Sequence, residues 1–238
     1  MRYFTIVRAG GLALILGALA FLAVFSYLAA RFGYPDVLDG VASEVLPRLL
    51  STGSEGRLAW AVYGFLPLIW IPAGVGAFHA LRHTGEGAMR TAMLFAVLST
   101  VAMMLGLLRW PSIHWELAQA FAIGGVSAQT VIGALFAGLN VYLGNYIGEF
   151  LGELSFSIFF LLSGCAMTRP HSGFSRWLGL FGILTALAGL VGMFRNITDV
   201  VDLVAEVNNY LLPLWMVAFG IGLLRVPRLE PRPVPKSV

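Results

Sequence analysis

Six long apolar runs divide the sequence, and arginines or short polar segments bound them. A run of about 20 apolar residues is the length that an α-helix needs to cross the hydrocarbon core of a bilayer. Arginines set the orientation of such helices by collecting at their ends. The pattern therefore predicts an all-α integral membrane protein. Its six transmembrane helices are expected at residues 9–30, 58–81, 91–108, 146–167, 177–194 and 210–224.

The composition agrees with a chain that is solvated mostly by lipid. The 238 residues are 58% hydrophobic and only 11% charged, whereas a soluble domain is about one quarter charged. The net charge of +3 comes from arginines that set topology, so the lipid bilayer and not nucleic acid is the expected partner. The single cysteine, Cys165, excludes an internal disulfide.

Residues 112–145 leave a seven-span alternative open, because the middle of this segment is apolar enough to cross. Both topologies place ten of the 15 Lys and Arg residues on the inner side. We favour six spans, with both termini cytoplasmic and the protein in the cell membrane, because Arg2 and Arg8 precede the span that usually decides orientation. Residues 112–145 then form a helical segment on the outer side, where ten acidic residues also collect.

Polar residues between the first two spans predict an amphipathic helix. Val37, Leu38, Val41, Val45 and Leu46 share one helical face, which is expected to lie on the membrane surface. The whole chain, 1–238, is interpreted as one polytopic domain. Its end, 225–238, is a basic, proline-rich tail that is expected to be disordered.

The fourth predicted span starts with two ridges, a glycine ridge and a ridge of polar side chains. Gly144, Gly148 and Gly152 recur at every fourth residue, which predicts a face where another helix can pack closely. Glu149 and Glu153 follow Asn145 at the same spacing. Carboxylates in a span are costly unless they meet protein, water or a ligand.

These residues give the candidate ligand-binding site. Glu149, Glu153, Asn145 and Arg195 are predicted to bind a small or lipid-like ligand, with Arg195, at the end of the fifth span, facing the two acids. The alternative is that both acids lie in the first turns of a helix at the water interface, where the helix dipole favours them.

Other chemical signals are weak. His79 and His83 are four residues apart, yet a third metal ligand is missing on their side. Ser163 and Cys165 have no base at helical spacing. The sequence contains no phosphate loop, dinucleotide fingerprint or zinc-protease motif. We therefore assign no catalytic residue, no metal site and no cofactor.

Several short motifs resemble one bacterial family. They are Tyr-Pro-Asp-Val-Leu at 34–38, Glu-Val-Leu at 44–46, Leu-Pro-Leu at 66–68, Gly-Val-Gly at 74–76, His-Ala-Leu at 79–81 and Gly-Glu at 148–149. The family consists of multi-pass membrane proteins whose domain is classed as of unknown function. The resemblance implies a helical fold in the bacterial inner membrane and no assigned chemistry.

Function is therefore predicted from architecture. The leading hypothesis is binding or transport of a small or lipid-like ligand in an outward-facing acidic cavity. One alternative is a non-catalytic accessory subunit that packs on another membrane protein through Gly144, Gly148 and Gly152. A second alternative is an intramembrane enzyme, which no reactive constellation supports.

Overall fold

The computed structural model describes residues 2–226, and all regular structure within this range is helical. In chain order its α-helices are α1 (Arg2–Phe32), α2 (Ala42–Ser51), α3 (Gly53–Phe65), α4 (Trp70–Leu81), α5 (Glu86–Leu108), α6 (Ile113–Ile123), α7 (Val126–Leu139), α8 (Gly152–Thr168), α9 (Arg176–Gly192) and α10 (Asp202–Arg225). A π-helical segment, Asn140–Leu151, joins α7 to α8. All but the first two residues of the predicted tail, 225–238, lie outside the described residues.

Six helical stretches of the described chain are long and apolar enough to cross a membrane, which confirms the six-span prediction. They are Thr5–Phe32, Gly53–Thr84, Glu86–Ile123, Val126–Thr168, Arg176–Asn196 and Asp199–Arg225. Within the second of them the 3-10 turn Leu66–Ile69, which contains Pro67, separates α3 from α4. The last span begins earlier than expected, because α10 starts at Asp202 and not at residue 210.

Residues 112–145 contain a helical hairpin instead of a seventh span. Helix α6 has 11 residues, short of the ~20 that a crossing needs, and α7, with 14 residues, continues into the π segment and α8 as part of a single span. Helices α6 and α7 are antiparallel: near the start of α7, Gln129 donates a 3.0 Å hydrogen bond to the carbonyl of Phe121 near the end of α6. At their other ends Phe136 packs on His114, with ring centroids 4.7 Å apart. The hairpin thus returns the chain to the end of α5.

The fourth span begins well before residue 146, where the sequence placed it. One unbroken helix of 43 residues runs from Val126 to Thr168. At about 1.5 Å of rise per residue, such a helix exceeds the ~30 Å hydrocarbon core, so part of it projects from the bilayer. Glu149 and Glu153 lie in its interior. Glu149 therefore does not lie at a helix start, whereas Glu153 lies in the first turn of α8, so the alternative stays a prediction for Glu153.

Helix α2 is the predicted amphipathic helix, displaced by a few residues along the chain. A 3-10 turn, Asp36–Asp39, precedes it, and Pro47 lies inside it without ending it. Its Val45, Leu46 and Leu49 are fully buried in a cluster with side chains of α3, α6 and α7. Protein covers Val45 and Leu46 of the predicted face, whereas Val41 is 61% exposed, so only part of this face is free to meet a membrane surface.

Glycines mark the points where the long helices cross. Lipid gives no hydrophobic drive for helix association, so close backbone packing carries more of the stability. At four crossings a glycine of one helix faces a glycine of the other, and a Cβ on either would come within 2.6–2.8 Å of the partner's backbone. The pairs are Gly10 with Gly76, Gly11 with Gly220, Gly106 with Gly148, and Gly164 with Gly179.

The alternation of the spans gives the molecule two chemically different ends. We call one the basic end; it comprises the start of α1, the connections 82–85 and 169–175, and the end of α10. The acidic end comprises residues 33–52, the α6–α7 hairpin and residues 193–202 with the adjoining turns. The ten acidic residues that were expected on one face lie towards the acidic end.

Candidate ligand-binding site

The structure brings Arg195 to both predicted carboxylates at the acidic end. Its Nη1 lies 2.7 Å from both Oε1 and Oε2 of Glu153, and its Nη2 lies 3.0 Å from Oε2 of Glu149. The three side chains are 25–29% exposed. One positive charge is therefore shared by two negative charges, which leaves a formal charge of −1 in a partly buried cluster. We call these three residues the ion-pair cluster.

Two asparagines extend the ion-pair cluster along the π-helical segment. Asn196 donates a 2.8 Å hydrogen bond to Oε2 of Glu149 and a longer one, 3.4 Å, to the backbone carbonyl of Asn145. All four predicted site residues thus lie in one neighbourhood. Asn196 stands next to Arg195 in the 3-10 turn that ends α9, and this adjacency was the sequence signal for its role.

The glycine ridge faces inward, against α5 of the same chain. Gly148 packs on Gly106, Gly152 on Met103, and Gly144 on the guanidinium of Arg109. Ser99 of α5 also donates a 3.0 Å hydrogen bond to the carbonyl of Gly152. The close helix partner that the ridge predicts is therefore supplied within the molecule, and the ridge offers no free face to a second protein.

A buried polar network that the sequence did not reveal lies beside this ridge. Arg109 is 5% exposed and Asn140 6%. Arg109 donates to Oδ1 of Asn140 from Nε (3.2 Å) and Nη2 (3.0 Å), and to the carbonyl of Gly106 from Nη1. Asn140 in turn donates a 2.9 Å hydrogen bond to the carbonyl of Leu38. The network ties α5, the start of the π segment and the 36–39 turn together.

Tyr34 and Tyr63 add two hydroxyl groups near the ion-pair cluster. The hydroxyls of Tyr34 and Tyr63 share a hydrogen bond of 3.4 Å. Burial raises the pKa of the Tyr34 phenol, so this side chain stays neutral and keeps its proton as a donor. Tyr34 belongs to the Tyr-Pro-Asp-Val-Leu motif, which the structure thus places next to the ion-pair cluster.

An open cavity of about 610 Å³ lies between the start of α2, the α6–α7 hairpin and the π segment. Asn145 is the only one of the four predicted ligand-binding residues that lines it. The lining has no charged side chain; its polar members are Ser43, Gln129, Thr130, Asn140 and Asn145, and its larger apolar members are Val41, Phe121, Val126, Phe136 and Val141. An acidic cavity was expected, and the described one is neutral because the carboxylates are paired with Arg195 outside it.

The side chains of Ser163 and His114 make contacts within the packed helices. Ser163 donates a 2.8 Å hydrogen bond to the carbonyl of Phe159 one turn earlier. His114 is fully buried between the rings of Trp110 and Phe136, each with its centroid 4.7 Å away. Within residues 2–226, His, Cys, Asp and Glu form no group of three that could hold a metal ion.

Fold and site together define a polytopic α-helical membrane protein with a neutral cavity and an ion-pair cluster near one end. The chain belongs to the DUF4386 family, described as a domain of unknown function, whose pattern it matches over residues 9–224. This confirms the family resemblance of the short motifs. Comparison with curated proteins and with solved structures gives no match.

Proposed function

We propose that this membrane protein binds an amphipathic, lipid-like molecule with an uncharged polar group in the 610 Å³ cavity. The single observation that carries the proposal is the lining of this cavity. It combines apolar walls with a few amide and hydroxyl groups, the usual make-up of a small-molecule site. Asn140, Gln129 and Thr130 already bond within the protein, which leaves Ser43 and Asn145 to meet the polar group of a ligand. A charged ligand group is disfavoured, because the lining offers no opposite charge to offset its desolvation.

The mouth of the cavity is apolar. Val41, Val126 and Val141 line the cavity and are exposed, with Val126 82% accessible. Further exposed apolar side chains, including Ile123 and Leu135, continue this surface along the hairpin. A contiguous apolar surface around an opening is suited to contact with lipid chains. An apolar part of a ligand can therefore stay in contact with this surface while its polar group enters the cavity.

The ion-pair cluster serves this site by fixing one of its walls. Glu149 and Glu153 extend from the π segment and the start of α8, and Arg195 holds both from the end of α9. Asn145 lies one turn before Glu149 and lines the cavity. In this arrangement Asn145 contacts the ligand, while Glu149, Glu153 and Arg195 determine where Asn145 stands.

Native mass spectrometry tests the proposal. The protein is extracted from its own membrane in a mild detergent, and retained small molecules are identified by mass. Ala137, on the cavity wall, is replaced by Trp to fill the cavity. Gly138, which has open space around its Cβ position, is replaced by Trp as the matched control.

The proposal predicts one dominant adduct in the wild type and in Gly138→Trp, and its loss in Ala137→Trp at an unchanged melting temperature. A folded wild-type protein without any adduct, or an adduct retained equally by Ala137→Trp, contradicts it. An adduct that carries a net charge on its polar group contradicts the argument from the neutral lining.

A further inference from the structure

A second, smaller cavity lies at the basic end, whereas the 610 Å³ cavity lies at the acidic end. Its volume is about 220 Å³, and it is formed where the last turn of α10 meets the first turn of α9. Its lining joins apolar side chains (Phe174, Leu178, Ile221) to two polar ones (Ser175, Arg225). The proposed function does not use it.

The two polar side chains are available to a ligand. Within residues 2–226, the side chain of Arg225 makes no hydrogen bond or ion pair with another residue. Ser175 stands at the cap position of α9, yet its hydroxyl makes no capping hydrogen bond. Both side chains are exposed. The cavity therefore presents a guanidinium and a hydroxyl above an apolar floor.

The surroundings of the cavity are strongly basic. Arg82, Arg90, Arg169 and Arg176 lie at the same end as Arg225. Glu86 is the one acidic residue of the described chain at this end, and its Oε1 already pairs with Nη2 of Arg90 at 2.7 Å. Among the described residues at this end, a negatively charged group placed at Arg225 thus meets attraction from several arginines and repulsion from no unpaired carboxylate.

We propose that this cavity binds the phosphate of an anionic phospholipid. Arg225 and Ser175 would hold phosphate oxygens, since a guanidinium fork matches phosphate geometry. The acyl chains would follow the exposed apolar surface of the two helices, which includes Leu180 and Ile221. Trp177, 80% exposed beside the cavity, has the side chain that membrane interfaces favour. The apolar floor is what selects a lipid over free phosphate.

Lipid titration followed by native mass spectrometry tests this inference. The delipidated protein is mixed with phosphatidylglycerol or with phosphatidylcholine, and the bound fraction is measured. Arg225→Gln removes the charge from the cavity. Arg90→Gln removes an exposed arginine at the same end but outside the lining and is the matched control. Gly222→Leu is a second variant: Phe174 and Leu178 lie 3.1–3.2 Å from where its Cβ would start, so the larger side chain fills the cavity.

The inference predicts preferential binding of phosphatidylglycerol that falls about fivefold in Arg225→Gln, falls in Gly222→Leu, and stays within twofold of wild type in Arg90→Gln. Equal losses in Arg225→Gln and Arg90→Gln would show a diffuse charge effect and overturn it. Displacement of the lipid by millimolar inorganic phosphate would also overturn it, because the site would then be one for free phosphate. None of these outcomes alters the test of the other cavity with Ala137→Trp.

Discussion

The guanidinium of Arg195 lies 2.7 Å from both carboxylate oxygens of Glu153 and also reaches Glu149. Arg195 is more than 40 positions away from both glutamates in the chain. The contact joins the interior of the fourth span to the end of the fifth. Because the cluster has two negative charges and one positive charge, its members are not equivalent, and the losses of stability on removing each one differ in size.

Replacing Arg195 by Gln should destabilise the fold more than replacing either acid. Arg195→Gln leaves two neighbouring carboxylates without a counter-charge in a partly buried place, at a cost of roughly 1–3 kcal/mol. Glu153→Gln leaves a balanced pair of Glu149 and Arg195 and should cost less than about 1 kcal/mol. The free energy of unfolding in detergent, measured for both variants, gives the comparison.

The double variant provides the control for this prediction. Adding Glu153→Gln to Arg195→Gln removes one of the two unpaired negative charges and should recover part of the lost stability. A double variant as unstable as the sum of the two single variants would mean that the carboxylates do not interact through Arg195.

Gly148→Ala should destabilise the bundle, because the added methyl would lie 2.8 Å from the Cα of Gly106. The two helices must separate, and the cost of overpacking is typically about 1–3 kcal/mol. Gly138→Ala adds the same atom to the same continuous helix in open space and should be neutral or slightly stabilising, by up to ~1 kcal/mol, from helix propensity. Melting temperatures of the two variants in one detergent distinguish them; equal shifts would contradict close packing at Gly106.

Asn140→Leu should loosen the hairpin of α6 and α7. The substitution removes the acceptor of two Arg109 hydrogen bonds and the donor to Leu38, at a cost of roughly 2–4 kcal/mol. Hydrogen exchange should then accelerate in α2, α6 and α7 before it does in α8–α10. Asn209→Leu, at an exposed position in α10, is the control and should leave exchange in the hairpin unchanged. Uniform acceleration throughout the chain would argue against a local network.

The sequence predicted the spans well because their signal is local. An apolar run of sufficient length must be helical in lipid, whatever its neighbours are. The ridge spacing of Glu149 and Glu153 and the position of Arg195 at a span end were also local signals, and together they indicated the ion-pair cluster. The use of Gly148 against a second helix was predictable for the same reason, although its partner, Gly106 of the same chain, was not.

Long-range packing accounts for the features that the sequence missed. Arg109 follows an apolar run and was read as a topology signal, whereas it is buried against Asn140, 31 positions later. The apolar face of α2 has the pattern of a membrane-surface helix, and only the tertiary arrangement shows that Trp60 and Phe136 share its cluster. The cavity is neutral for a similar reason, since the pairing of Glu149 with Arg195 and Asn196 is a tertiary event.

Photo-crosslinking from two positions of α7 tests the central claim, ligand binding in the neutral cavity, most directly. A photoreactive benzophenone amino acid replaces Gln129, which lines the cavity, or Gly138, which lies nine residues later on the opposite face of the helix. Intact cells are irradiated and the adducts are weighed. We predict one dominant small-molecule adduct at position 129, abolished by Ala137→Trp, and a mixture of bulk membrane lipids at position 138. The same mixture of adducts at both positions would contradict the claim.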